Sequence, residues 1–311
     1  MVDEGTVEAG PPMPSGRNAG LMRRATYASV LVALTLIVTK FVVWQLSDSV
    51  ALLSSLLDSA LDLVASLITL FAVRHALTPA DREHRFGHGK AEALSALGQS
   101  AFVGISAILL TFASVRRILV PRAIEAEELA VGVMALSLVL TVLLVLFQRR
   151  VVRETGSVAV SADSLHYLTD ILINVGIGAG LVAVWVLGWE LLDPLIALSV
   201  AAYLAFTAWK IARSSLDMLM DREFSDDMRR RIRDIALSHN DVNSMHDLRT
   251  RSSGVHSFIQ FHLELDGDIL LSQAHAIADE VEALLKEEFP QAEVLIHQDP
   301  AGVQEQRPHF A

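Results

Sequence analysis

No cysteine occurs anywhere in the 311 residues of the chain. Disulfides and thiolate metal ligands are thereby excluded, and any metal chemistry falls to His and carboxylates. Positive charge is also in short supply. Lys and Arg number 25 against 36 Asp and Glu, a formal net charge of −11, which argues against a nucleic-acid partner. The first twenty residues, MVDEGTVEAGPPMPSGRNAG, lack the apolar core of a signal peptide. Their acidic, Gly- and Pro-rich character predicts a disordered tail over residues 1–22. Neither HExxH nor GxGD occurs, so an intramembrane metalloprotease or aspartyl protease is left without its signature. No internal repeat stands out, and nothing points to an organic cofactor.

What is present is apolar sequence, unevenly spread. The chain is 52% hydrophobic, with a mean hydropathy of +0.43. The apolar blocks stop near residue 212, and ordinary mixed sequence follows. A membrane-spanning helix needs about 20 apolar residues. Six segments qualify, at about 25–46, 50–77, 91–119, 126–147, 158–187 and 190–212. Six spans put both termini on one side. That side would carry Arg17, Arg23, Arg24, Arg74, Arg82, Arg85, Lys90, Arg149, Arg150, Arg153, Lys210 and Arg213, and the other only Arg116, Arg117 and Arg122. The excess of basic residues predicts cytoplasmic termini in a multi-pass plasma-membrane protein.

From residue 213 the periodicity changes. DDMRRRIRDIALSHN predicts an amphipathic helix with Ser225 or Asp226 as its N-cap. MHDLRTRSS and VHSFIQFHLELD alternate as strands about a turn at 252–254, LLSQAHAIADEVEALLKEEFP is a second helix, and EVLIHQD is a last strand. The expected fold class is an α-helical membrane protein, with six transmembrane helices over 23–212 and a small α+β (α-β-β-α-β) cytoplasmic metal-binding domain over 213–300. Residues 301–311 are expected to be a tail.

The stretch LLDSALDLVASLITLF places Asp58 and Asp62 four residues apart inside the second span, hence on one helix face. LHYLTD in the fifth span repeats the spacing with His166 and Asp170. A carboxylate at the centre of a bilayer costs on the order of 3 kcal/mol, so three cost roughly 9 kcal/mol. Neither span carries a Lys or Arg beside its acids. A divalent cation would offset the cost, and three carboxylates with one imidazole suit a tetrahedral N/O site. At 1.5 Å per residue Asp62 and Asp170 both fall near the midplane. The simpler alternative is protonated acids hydrogen-bonded in a static bundle. A second triad, Asp81, His84 and His88 in DREHRFGH, has the spacing of one tight turn closing on a cation, or of a solvated His-rich loop. His75, at the end of the second span, reads as an interfacial histidine. In the soluble part His246, His262, His297 and Asp299 are placed on strands and His275 on a helix, five potential ligands on one sheet edge. His239, His256 and His309 read as surface residues.

Taken together, LLDSALD, PADREHRFGHGKAEAL, SADSLHYLTD, HDLRTR, FIQFHLEL, QAHAIADEVE and IHQD resemble the cation diffusion facilitator family, in particular its bacterial zinc and ferrous-iron efflux members. The resemblance runs from the second span to residue 299. It implies a homodimer that exports a divalent metal, Zn2+ foremost and also Cd2+ or Fe2+, in exchange for protons. It implies a transport site at Asp58, Asp62, His166 and Asp170 and a loop site at Asp81, His84 and His88. It further implies a cytoplasmic regulatory cluster at His246, His262, His275, His297 and Asp299, and a charged interlock of Lys90 with Asp221. A metal-gated channel or a metal sensor built on the same sites is the alternative. An organic-cation exporter leaves the cytoplasmic histidines without a purpose.

Overall fold

The computed structural model describes residues 16–47, 50–119, 128–187, 192–254 and 256–303. Six long helices come first: α1 (Gly16–Ser47), α2 (Val50–Ala76), α3 (Lys90–Leu119), α4 (Glu128–Thr155), α5 (Val158–Leu187) and α6 (Leu192–Leu219). The soluble part follows as α7 (Asp226–Ala236), β1 (Ser244–Ser253), β2 (His256–Leu265), α8 (Leu271–Glu288) and β3 (Ala292–Pro300). This is the expected architecture, six membrane helices and then α-β-β-α-β. Among the described residues α1, α2, α3, α4 and α6 are each long and apolar enough to cross a membrane. The sixth, α5, is opened by the polar run SADSLHYLTD, and its side chains are described only as far as residue 176.

The bundle is polar inside and apolar outside. Leu31, Phe71, Phe112, Phe206 and Trp209 are exposed, whereas Ser29, Gln99, Gln148 and Asp163 are buried. Lipid solvates the first set and cannot solvate the second. Several hydroxyls inside the helices turn back on the preceding turn, as Thr39 Oγ1 does in donating to the Thr35 carbonyl at 2.8 Å and Thr111 Oγ1 to that of Ala107 at 2.8 Å, which satisfies these donors in hydrocarbon. Ala96, Ala107, Ala162 and Ala208 are buried in one cluster joining α3, α5 and α6. Small side chains there allow the close helix approach on which association in lipid depends.

Three helix limits differ from expectation. The tail expected over 1–22 lies outside the described residues to residue 15, and α1 begins at Gly16, where Asn18 Nδ2 donates to the Glu154 carbonyl at the end of α4. Helix α4 runs on to Thr155 rather than ending at 147. Val151 is buried there and Arg150 pairs with Glu154 one turn on at 3.0 Å. Helix α6 continues past 212 to Leu219. It stops where Asp221 takes a left-handed φ of 56° and the Arg222 amide closes back on the Asp217 carbonyl at 2.9 Å.

In the soluble part Ser225 caps α7 by accepting from the Met228 amide. Ile232 and Ala236 turn one face of α7 into a core with Ile259, Phe261, Leu263, Val281 and Leu285. The sheet has the order β1-β2-β3, with β1 antiparallel and β3 parallel to the central β2.

Candidate metal centres

Helices α2 and α5 carry the acids expected in the membrane, and the fold brings three of the four groups into one cluster. His166 Nε2 lies 3.0 Å from Asp62 Oδ1. One ligand atom each from Asp62, His166 and Asp170 all lie within 4.8 Å of one another. Asp58, one turn from Asp62, is outside that triad but lines the same cavity of ≈ 320 Å³. Asn174 Nδ2 donates to the Asp170 carbonyl at 2.8 Å, and the Phe102 ring stands edge-on to His166 at 5.5 Å between centroids. Three groups within one ion's reach and a fourth in the same cavity make an N/O-ligand site suited to a divalent cation.

Sequence reasoning passed over two residues here. The first is Lys40 of α1. It is buried, lines the same cavity, and its Nζ donates to the Ser59 hydroxyl at 2.7 Å and the Ser55 carbonyl at 3.1 Å. The acids do stand near a cation, one contributed by a third helix. It was legible as a single lysine inside an otherwise apolar run. The second is Asp163, one turn before His166 and also buried. It accepts from Ser29 Oγ and Gln148 Nε2, both at 2.6 Å, and so ties α1, α4 and α5 together.

The loop between α2 and α3 forms a compact second cluster. Ligand atoms of Asp81, His84 and His88 also lie within 4.8 Å of one another. Asp81 Oδ1 accepts from the His84 amide at 2.6 Å and the Glu83 amide at 2.9 Å. The His84 amide foremost, then that of Glu83, hold the Asp81 carboxyl below its ordinary range, with smaller help from the two imidazoles and against a partial loss of hydration. His88 is buried with its Nε2 3.3 Å from Asp81 Oδ2. His75, read as merely interfacial, is adjacent: its ring centroid lies 4.4 Å from that of His88.

The loop is clamped to the soluble part. Gly87 has φ +78°, and a Cβ on Gly89 would stand 1.7 Å from the Ser253 carbonyl oxygen at the end of β1. Both positions therefore require glycine, one by conformation and one by approach. Arg251 lies over the Phe86 ring at 4.6 Å and the Phe258 ring at 4.4 Å. Lys90 Nζ meets Asp221 Oδ1 at 2.9 Å, donates to the Leu219 carbonyl, and shares Asp221 with Arg251 at 3.6 Å. Next to it buried Glu92 accepts from Ser157 Oγ and from the Ala159 amide at 3.3 Å, a carboxylate at the N-terminus of α5.

The third cluster is a row across the sheet. His246 pairs with His262 in the β1–β2 register and His262 with His297 in the β2–β3 register. The histidines thus span all three strands and do not gather on an edge. Asp299 is buried beneath them, 2.7 Å from His262 Nδ1, 3.1 Å from His297 Nε2 and 3.5 Å from His246 Nε2. His246, His262 and Asp299 form a triad of metal-ligand reach, with His297 beside it at 4.6 Å between ring centroids of His262 and His297. His275 stands apart on α8, exposed, 3.5 Å from Asp279 one turn along the same helix. Two further acids adjoin the row: Glu264 lies 3.1 Å from His246 and Asp247 lies 3.9 Å from His262. A bulge between His246 and Arg249, with Asp247 at φ 50°, turns Asp247 in.

A bundle with apolar side chains outside, and carboxylates with an imidazole around an internal cavity, defines an integral membrane protein built to hold a cation. Residues 26–220 match the family described as the cation efflux transmembrane domain, and residues 224–301 match the cation efflux protein cytoplasmic domain, a dimer-type domain. The chain belongs to the cation efflux family, the cation diffusion facilitators. It is 46% identical over 283 residues to the cation-efflux pump FieF of Shewanella oneidensis, covering 91% of this chain and 95% of that protein. It is 42% identical over 283 residues to FieF of Salmonella arizonae, covering 91% and 94%. A solved structure of CzrB in its Zn form is 33% identical, covers 28% of this chain and 99% of its own, and superposes with a TM-score of 0.26. The protein is a multi-pass membrane transporter of cations and not an enzyme.

Proposed function

We propose that this protein exports Zn2+ from the cytoplasm in exchange for protons by alternating access, with Cd2+ and Fe2+ as further substrates. The observation that carries the reading is the approach of Asp62, His166 and Asp170 inside a membrane cavity. With Asp58 in the same cavity they form the transport site. An imidazole among carboxylates favours a borderline cation such as Zn2+ over a purely oxygen-seeking one. These ligands lose protons to bind metal. A site opening alternately to the two sides therefore takes metal where protons are scarce and yields it where they are plentiful.

The loop triad Asp81, His84, His88 and the sheet row His246, His262, His297, Asp299 act as regulatory metal sites. Lys90 with Asp221 is the charged interlock near the membrane surface, joining the start of α3 to the end of α6. The dimer-type cytoplasmic domain supports a homodimer, and the distribution of basic residues supports a plasma-membrane protein with cytoplasmic termini in contact with lipid. The domain limits follow as a membrane unit ending near the close of α6 and a soluble unit from α7 to β3.

Zinc flux into proteoliposomes under an imposed pH gradient tests the reading. Flux that follows the gradient, and is lost in Asp62→Ala, is the expected result. Flux indifferent to the gradient would point to a metal-gated channel, and unaltered flux in Asp62→Ala would overturn the site.

A further inference from the structure

Lys40 is a charged group lining the cavity that the exchange of metal for protons does not use. It sits in the last third of α1, only 8% exposed. A lysine buried at bilayer depth is costly unless something offsets its charge. Its described hydrogen-bond partners, the Ser59 hydroxyl and the Ser55 carbonyl, are neutral oxygens of α2. They hold the ammonium in place without consuming its charge in a one-to-one ion pair. Those two serines flank Asp58 in sequence, and Lys40, Asp58, Asp62 and Asp170 line one cavity. The positive charge is therefore anchored on the wall of the acidic pocket.

We propose that Lys40 is a tethered counter-cation of the transport site, whose fixed charge offsets one of the three carboxylates so that a bound dication leaves the cavity electrically neutral. Three carboxylates and one ammonium sum to two negative charges, and a divalent ion cancels them. Without the ammonium, a loaded site would keep an uncompensated negative charge in low dielectric, which is costly in itself and holds the metal too firmly. Lys40 thus weakens binding enough for release. It acts on the metal through space and is a positioning charge, not a ligand. The inference rests on the transport-site reading above.

The sign of the effect separates this role from a structural one. Removing a like charge beside a cation site tightens metal binding, whereas removing a lysine that merely braces α1 against α2 loosens it. The experiment uses the full chain in lipid nanodiscs. His84, His88, His246 and His262 are all changed to Ala, so that binding reports the membrane site. Zn2+ is titrated against a competing fluorescent chelator at fixed pH. Lys40→Met is expected to bind Zn2+ about tenfold or more tightly and to slow zinc flux. Lys40→Arg, which keeps the charge, is expected to stay near the parent. Lys40→Gln removes the charge but can still donate to Ser59, and carries the same expectation should the Met variant fail to fold. Unchanged or weaker binding in the folded neutral variants overturns the proposal. Asp62→Asn in the same background must lose binding. If it binds as the parent does, the fault lies with the transport-site assignment and not with Lys40.

Discussion

Asp62 on α2 and His166 on α5, 104 residues apart in sequence, meet at 3.0 Å between Oδ1 and Nε2. Two groups that bind one ion act as a unit, so their losses do not add. Asp62→Ala and His166→Ala are each expected to cut zinc flux by about a hundredfold, the upper end of what ligand support costs in metal sites. The double variant is expected to fall no further. Initial rates in proteoliposomes at matched protein density decide this, and additive losses would separate the two residues functionally.

The sheet row divides the cytoplasmic histidines. His262 lies between His246 and His297 and touches Asp299, whereas His275 is exposed on α8 beside Asp279. With the row as the proposed regulatory site, His262→Ala is expected to remove zinc binding there, and His275→Ala to leave it within about twofold, as for a surface substitution remote from the row. Calorimetric titration of the full chain with Zn2+ distinguishes them.

What could be read without the fold was whatever a short-range pattern encodes. The i, i+4 spacing in LLDSALD and LHYLTD puts each pair on one helix face, and the fold adds only that the faces meet. The soluble elements were legible from alternation and caps, because Ser225 and the turn at Gly254 do local work. The sheet order was not legible: that His246, His262 and His297 share a row depends on β3 pairing parallel to β2, a long-range choice. Lys40 escaped because its relation to Asp58 crosses a hairpin and has no period. His275 joins the cytoplasmic set through the family resemblance, and within one subunit its contact is with Asp279 on its own helix.

Gly89 is a point where one methyl group has a definite consequence. Its Cβ would fall 1.7 Å from a backbone oxygen of Ser253, and backbone cannot swing aside as a side chain can. Gly89→Ala is expected to destabilise the protein by about 1–3 kcal/mol and to part the α2–α3 loop from the β1–β2 turn. Thermal unfolding reports the first effect, and a cysteine crosslink between positions 86 and 258, in this naturally cysteine-free chain, reports the second. A variant as stable and as readily crosslinked as the parent would contradict the contact.

Asp81 gives a pH dependence of known sign. Its carboxyl is held below the ordinary range by the His84 amide first and the Glu83 amide after it. A folded value below the unfolded one means a contribution present above the ordinary carboxylate value of about 3.9 and lost only as pH falls through the lower folded value. The loop turn is thus expected to survive acidification from pH 7 to about pH 5. Amide exchange of Glu83 and His84, corrected for intrinsic rates, should show constant protection over that window, and Asp81→Ala should abolish it throughout.

Lys90 and Asp221 join the start of α3 to the end of α6 at 2.9 Å, both about a third exposed at 36% and 39%. A pair so placed is worth roughly 0.2–1 kcal/mol, so Lys90→Ala is expected to cost little stability by itself. Its larger effect is on coupling, since Lys90 also holds the Leu219 carbonyl that closes α6. Exchange of the charges, Lys90→Asp with Asp221→Lys, is not expected to restore the parent. Arg251 lies 3.6 Å from Asp221, and the swap would set a lysine against it. A double-mutant cycle on zinc flux should therefore give a positive coupling for the alanine pair and a further loss for the swap. If the swap behaved as the parent does, Lys90 and Asp221 would form an isolated pair and Arg251 no part of the interlock.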